Sequence, residues 1–348
     1  GRDPRPIRTA ESFLGREGGA ELRHGSGRMD SRASAGTDVE TILHSLPDLV
    51  TPAIDRAIEH ADRLLDFIEH DVVTLRTRIP LEGLRFKGLL VAGPVLLRWL
   101  EREEVARLQQ IQTASLDDFA FMFAGHLGMP RTMLEVTELR AKTTPRQPAE
   151  LSHRVILGLQ LLGFEPFGTP RFPWREEPFP MGTHFSPAQL PPRGTAKEIT
   201  QTNLERALAV AGLIPVDFAG DSSSRGNIAL SRFAQGCADQ YAADALIDFV
   251  IALEAVLLPP DASSELSFRF ALYGAHVIGS SAEDRRNLYR DFRDVYITRS
   301  GIVHGLAMKP ADVDKNAAVA RRLAAQTLLR GLESGWPSQE SLRDATLS

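Results

Sequence analysis

Basic side chains are concentrated in one stretch near the carboxyl end of the chain. Between Arg285 and Lys309 the sequence holds six basic residues and two acidic ones. Three of the arginines are spaced i, i+4 and i+7, so a helix places them on one face: Arg286, Arg290 and Arg293. A solvated basic face is the usual outcome of such a run. A surface for an acidic partner or a nucleic acid is the alternative.

Arg299 and His304 follow just beyond the predicted end of this helix. Arg299 continues the apolar stripe of Leu288, Phe292 and Val295, where a charge is costly unless it meets a partner, a cleft or a ligand. Five residues separate two side chains by about 140° on an ideal helix. The spacing alone therefore predicts that the arginine and the histidine diverge, unless the long arginine side chain reaches round the helix or Gly301 relaxes the turn. A satisfied core histidine is the alternative to a functional one.

Composition limits the functions that these residues can serve. The chain has 348 residues, 43% hydrophobic and 24% charged, which is typical of a globular protein with room for two domains. A net charge of -5 excludes a chain-wide basic field, so a nucleic-acid role needs a local basic patch. The single cysteine, Cys237, excludes an intramolecular disulfide and a cysteine-based zinc site and suits a reducing cytoplasm.

Other sequence signals are negative. The longest apolar stretch, Gly88 to Leu97, is about half of the roughly 20 residues that a membrane span needs, so a soluble protein is expected. We find no Walker loop, Rossmann glycine pattern, HExxH or GxSxG motif. His60 and His70 stand ten residues apart, which is not a metal-ligand spacing.

Helical periodicity dominates the second half and predicts an antiparallel helical bundle. The predicted helices cover Ile199 to Ala211, Ala238 to Leu258, Ser264 to Ile278, Glu283 to Thr298 and Ala311 to Leu332.

The first half is predicted to be mostly helical, so the fold class is mainly α. Alternation at Leu75, Thr77, Ile79 and Leu81 indicates a short strand or hairpin edge within 72–86. Helices are expected from Ile54 to Ile68, from Pro94 onward, in short pieces over Leu116 to Leu127 and Thr132 to Leu139, and from Leu151 to Leu162.

Composition also predicts the domain boundaries. Residues 1–28 are interpreted as an expression tag or leader before Met29, with a native disordered arm as the alternative. A mostly helical domain of unknown role covers 29–164, and the bundle covers 195–337. Residues 165–194 form a connection with eight of the 22 prolines and several aromatic residues, which we expect to pack on a domain surface; a base-stacking platform is the alternative.

Four segments between Asp244 and Gly305 carry a resemblance to the HEPN superfamily, specifically its Apea-like branch. They are Ala252–Pro259 (ALEAVLLP), Glu265–Ala271 (ELSFRFA), Tyr289–Arg293 (YRDFR) and Arg299–Gly305 (RSGIVHG), the last of which matches the family's R-x-x-x-x-H motif. With its flanking helices the resemblance covers the 195–337 domain, and the first half resembles no family that we can name.

The resemblance implies a metal-independent endoribonuclease that needs no cofactor. The ribose 2′-hydroxyl attacks the adjacent phosphate and leaves a 2′,3′-cyclic phosphate. By this resemblance His304 is general acid or base, and Arg299 stabilises charge on the phosphorane. Ser300 holds a phosphate or the 2′-hydroxyl. Glu254 orients Arg299 or His304, or instead forms an ion pair with a residue such as Arg269.

The resemblance also bears on partners. It implies a homodimer with a composite active site. It also implies that the protein is a cytoplasmic toxin or antiviral defence effector, and such an effector can have a regulatory protein partner. The RNA-contacting residues are then Arg286, Arg290, Arg293 and Arg269. Two alternatives stay open: a catalytically silent HEPN module that binds RNA or protein as a scaffold, and a structural helical protein whose arginine face binds an acidic partner.

Overall fold

The computed structural model describes residues 72–105, 132–141, 151–168, 175–177, 196–218, 223–239, 241–259 and 265–347, with six single helical positions between 54 and 69. The chain divides into two units, residues 1–57 and residues 58–348. The predicted leader, the helical pieces at 116–127 and most of the proline-rich connection lie outside the described residues.

The described chain is mainly helical, as predicted. Its helices are α1 (Leu151–Leu161), α2 (Gln201–Leu213), α3 (Arg225–Ala238), α4 (Ala242–Leu257), α5 (Leu266–Ile278), α6 (Ala282–Val303), α7 (Pro310–Ser334) and α8 (Gln339–Leu347). The predicted helices at α1, α2 and α4 to α7 are confirmed, and the described positions between 54 and 69 are helical too. Helices α3 and α8 were not predicted.

Local signals explain where these helices begin and end. Thr200 and Asn203 form a reciprocal capping box at the start of α2. The Ser281 side chain accepts a hydrogen bond from the Asp284 N–H at the start of α6. Pro310 occupies the first position of α7, where a missing N–H is tolerated, and Pro259 lies just beyond the end of α4.

The bundle core is built around α4, against which α3, α6 and α7 pack. Aromatic rings fill the interior, and the Phe270 and Phe292 rings meet edge to face at 5.5 Å between centroids. A Cβ at Gly274 would lie 2.4 Å from the Phe292 ring. The missing side chain at Gly274 therefore lets α5 approach α6 closely, and this packing fixes the position of α6.

A β-sheet lies at the amino-terminal side of the described chain. Its strands are β1 (Val72–Glu82), β3 (Leu90–Ala92), β4 (Val95–Trp99), β5 (Thr132–Ala141), β6 (Phe167–Gly168) and β7 (Arg175–Glu177), and a separate parallel pair is formed by β2 (Leu84–Arg85) and β8 (Lys197–Glu198). The main sheet has the order β3-β4-β5-β1-β6, with β7 also paired to β1, and its strand pairs are antiparallel.

Two secondary-structure predictions were wrong in this region, and the strand predicted within 72–86 is confirmed. Pro94 does not open a helix: it follows Gly93, which has a φ of +52°, in the two-residue turn between β3 and β4. Thr132 to Leu139 forms β5 and not a helix. The alternating residues of β1 do form a strand, but β1 pairs on both sides and is no edge.

Helices α1 and α2 cover one face of the sheet and also reach the bundle. Val155 and Leu159 of α1 pack into the sheet core with Ile79 and Leu134, while Leu157 packs into the bundle core. Residues 58–348 are accordingly one compact unit. The domain boundaries proposed from composition stay a prediction.

Candidate functional site

Helix α6 carries a polar stripe that runs along its outer side to its carboxyl end. The α6 stripe is defined here as Arg286, Arg290, Arg293, Ser300 and His304. Steps of four and seven residues keep these side chains within an arc of about 80° over a length of about 27 Å. The three arginines and His304 are exposed, and Ser300 is half-buried. The helix therefore aligns the predicted RNA-contacting arginines with the predicted acid or base.

His304 is held by the way in which α6 ends. Its N–H donates to the carbonyl of Ser300 at 3.0 Å. Gly305 adopts a φ of +71°, and the N–H groups of Gly305 and Leu306 donate to the carbonyls of Ile302 and Gly301. This pair of bonds is a Schellman motif, which needs the left-handed residue that glycine supplies. The motif ends the helix at Val303, with His304 as the carboxyl-terminal cap, and the His304 side chain is exposed.

Arg299 points to the other side of α6 and meets α4. Its Nη2 lies 3.6 Å from the Oε2 of Glu254, and the two side chains are 25% and 22% exposed. The Arg299 Nε is buried without a hydrogen-bond partner. Burial raises the pKa of Glu254, and the Arg299 charge opposes that rise. One long contact and one unused donor leave the guanidinium only partly satisfied.

Tyr296 joins this pair and was missed by the sequence analysis. Its ring packs against Phe270 at 5.1 Å between centroids. Burial raises the pKa of its hydroxyl, the Glu254 carboxylate raises it further, and Arg299 lowers it. The sequence signal that could have identified Tyr296 is its position three residues before Arg299 and four before Ser300. A helix places its side chain between those two.

The structure does not bring all predicted site residues together. Arg299 and Glu254 meet, whereas Arg299 and His304 project about 140° apart around α6. Arg269 on α5 lies 3.8 Å from Glu265, four residues before it, and Glu254 lies against Arg299. Of the three partners considered for Glu254, namely Arg299, His304 and Arg269, the structure pairs it with Arg299.

Contacts to α7 fix the rotation of α6 that exposes the stripe. The Asn316 amide donates to the Thr298 hydroxyl at 2.8 Å, and Arg322 donates to the Asp291 carboxylate at 2.6 Å. Asp291 thus faces α7 rather than the stripe. The acidic side chain that helical geometry places beside Arg290 is Asp294, four residues later, and it is exposed.

Within the part of the chain that the structure describes, no three His, Cys, Asp or Glu side chains come together as a metal site would require. None of the described helices combines the length and the apolar character needed to cross a bilayer. Comparison of the chain with protein-family models, with curated proteins and with solved structures gave no match.

Proposed function

We propose that this protein is a metal-independent endoribonuclease of the HEPN type, and that RNA binds along the α6 stripe. The observation that carries the proposal is the exposed His304 in line with three exposed arginines on one helix face. Guanidinium groups bind phosphate oxygens through paired N–H donors. A phosphodiester held on this stripe would lie beside a side chain able to transfer protons near neutral pH.

The proposed reaction is an internal transfer of the phosphoryl group. The 2′-oxygen bonds to phosphorus, the bond from phosphorus to the 5′-oxygen breaks, and the proton of the 2′-hydroxyl ends on the leaving oxygen. His304 serves one of these proton transfers as base or acid. Ser300, one turn before His304, binds a phosphate oxygen or the 2′-hydroxyl.

Arg299 is proposed to stabilise the charge on the phosphorane, with Glu254 as its positioning residue. Support comes from its partly satisfied guanidinium, which has one 3.6 Å contact and a buried Nε without a partner. Since Arg299 and His304 diverge on one helix, a site shared by two copies of the chain is proposed to bring an arginine and a histidine together.

A homodimer has a second support in the apolar side chains around the end of α6. Ile297, Val303 and Leu306 are each at least half exposed there, and exposed apolar residues near a polar site are typical of an interface. Light scattering is expected to give twice the chain mass at working concentration. A strict monomer that still cleaves RNA would overturn the shared site.

The proposal extends to the biological role of the protein, as a cytoplasmic toxin or antiviral defence effector with a regulatory protein partner.

Cleavage of single-stranded RNA in EDTA tests the proposal. We expect the wild type to release products that end in a 2′,3′-cyclic phosphate, and His304→Ala and Arg299→Ala to cleave at least about 10²-fold more slowly while keeping their circular dichroism. Arg330→Ala, which alters an exposed arginine of α7, is the matched control and should cleave normally. Equal cleavage by the wild type and both site variants would overturn the proposal.

The second candidate is a catalytically silent HEPN scaffold that binds RNA or protein. It is favoured by the ion pair that directs Arg299 toward Glu254 and away from His304. This function predicts RNA or partner binding that survives His304→Ala, with no cyclic-phosphate product from the wild type.

A further inference from the structure

An aromatic pair borders the α6 stripe near its amino-terminal end. Phe268 of α5 is 52% exposed. Its ring meets the ring of Tyr289 of α6 edge to face, with centroids 6.3 Å apart and planes at 68°. Tyr289 is half-buried and packs against Phe268. A large ring is thereby held in place while half of its surface stays in water.

The position of this pair relates it to the stripe. Tyr289 lies three residues after Arg286 and four before Arg293, so helical geometry makes it a neighbour of both. Exposed arginines beside an exposed aromatic ring are the two elements that bind single-stranded nucleic acid: cations along the backbone and a flat face for a base. A duplex offers no free base to such a ring.

We propose that Phe268, backed by Tyr289, is a stacking subsite for one base of a single-stranded RNA whose phosphates lie on the α6 stripe. The identity of the ligand as RNA rests on the proposed function, whereas the stacking contact concerns binding alone. Tyr289 and His304 are 15 residues apart, or about 22 Å along α6. The stacked base is therefore several nucleotides from the phosphate at His304, and the subsite positions the strand rather than taking part in the reaction.

Binding of uncleavable strands tests the subsite without reference to catalysis. The probe is a labelled thymidine DNA strand of about ten nucleotides, measured by fluorescence anisotropy beside an abasic strand of equal length. Phe268→Ala should weaken binding of the thymidine strand about tenfold and leave the abasic strand unchanged. Phe268→Trp should restore binding. Phe268→Leu, which keeps an apolar contact to Tyr289, should behave like the alanine variant.

The matched control is Tyr241→Ala, which removes another exposed aromatic at the amino-terminal end of α4. It should bind both strands as the wild type does. The subsite would be overturned if Phe268→Ala lost the same affinity for the abasic strand as for the thymidine strand. It would also be overturned if the wild-type protein bound duplex RNA as tightly as a single strand. Failure of the wild type to cleave RNA would overturn the proposed function, while a base-dependent loss in Phe268→Ala would still stand.

Discussion

Two partly buried arginines of this protein are bound in very different ways. Arg98 on β4 donates from Nε to Glu135 at 2.6 Å and from Nη2 and Nη1 to the two carboxylate oxygens of Glu104 at 2.6 and 2.7 Å. Its Nη1 also donates to the carbonyl of Trp99. Arg299 on α6 has one carboxylate at 3.6 Å and an Nε without a partner. The exposed fractions of the two side chains are similar, 15% and 25%.

The difference separates a structural arginine from one that retains binding capacity. A guanidinium with every nitrogen engaged joins β4, β5 and the helical residues 102–105 after β4, and cannot bind another anion without losing bonds. A buried donor that lacks a partner is costly to the folded state, and the Nε atoms of Arg154 and Arg321 share this property with that of Arg299. The single 3.6 Å contact to Glu254 leaves the terminal nitrogens of Arg299 able to bind an anion. We therefore expect Arg98 to serve stability and Arg299 to serve a ligand.

The largest expected effect is on catalysis. Arg299→Ala should lower the RNA cleavage rate by about 10²–10³-fold, the loss typical of removing a group that stabilises transition-state charge. Its unfolding free energy should change by less than about 1 kcal/mol, since one long ion pair contributes little. Single-turnover cleavage and urea denaturation measure the two quantities. A large loss of stability with little loss of rate would reverse the assignment.

Arg98→Ala should give the opposite result. Removing one partner of a hydrogen-bonded, partly buried ion pair should cost about 3 kcal/mol of unfolding free energy, with an unchanged cleavage rate per folded molecule. Arg98 lowers the pKa of Glu104, so its contribution is present above about pH 4.5 and is lost as the pH falls through the folded pKa. The difference in unfolding free energy between the wild type and Arg98→Ala should therefore become smaller at acidic pH. Arg76→Ala, an exposed arginine of β1, is the control.

A third arginine extends the comparison to the protein surface. Arg290 on the α6 stripe is exposed, and Arg290→Ala should weaken RNA binding severalfold for every sequence and lower the salt slope of log K by about one. Titrations at several salt concentrations measure this slope. A slope equal to that of the Arg330→Ala control would exclude Arg290 from the RNA contact.

The smallest expected effect concerns Glu254. Burial raises its pKa in the folded protein, so its contribution to stability is present below about pH 4.5 and is lost as the pH rises through the folded pKa. The glutamine of Glu254→Gln does not ionise, so the variant does not lose this stability as the pH rises. The stability of the variant relative to the wild type should therefore rise from acid to neutral pH. Thermal unfolding measured across that range tests the sign, and a relative stability that falls with pH would contradict it.

The helices of the bundle could be predicted because their signals are local. Capping residues, prolines and the 3.6-residue period define α2, α4, α5 and α6 within a few residues of their observed ends. Helix α3 was missed because Gly226 and Gly236 lower its helical propensity. Both glycines make room for aromatic rings, of Trp336 and Phe249 respectively, and such contacts are not visible in the sequence.

The strands were harder to predict. Strand β5 buries side chains on both of its faces near its amino-terminal end. Met133, Leu134 and Glu135 are consecutive and all buried. A strand that is buried on both faces loses the alternation that would identify it. Its partners on β4 lie 33 to 41 positions earlier in the chain, and its partners on β1 lie 51 to 69 positions earlier. Such distant pairing overrides local propensity.

The sequence by itself determined that α6 exists, that Arg286, Arg290 and Arg293 share one of its faces, and that Arg299 continues its apolar stripe on another. These follow from helical geometry, which depends only on neighbours in the chain. Only the tertiary structure decided which face is exposed, that Glu254 of α4 meets Arg299, and that Tyr296 and Phe268 border the site. Those contacts depend on how separate helices pack, and packing is decided by side chains distant in sequence.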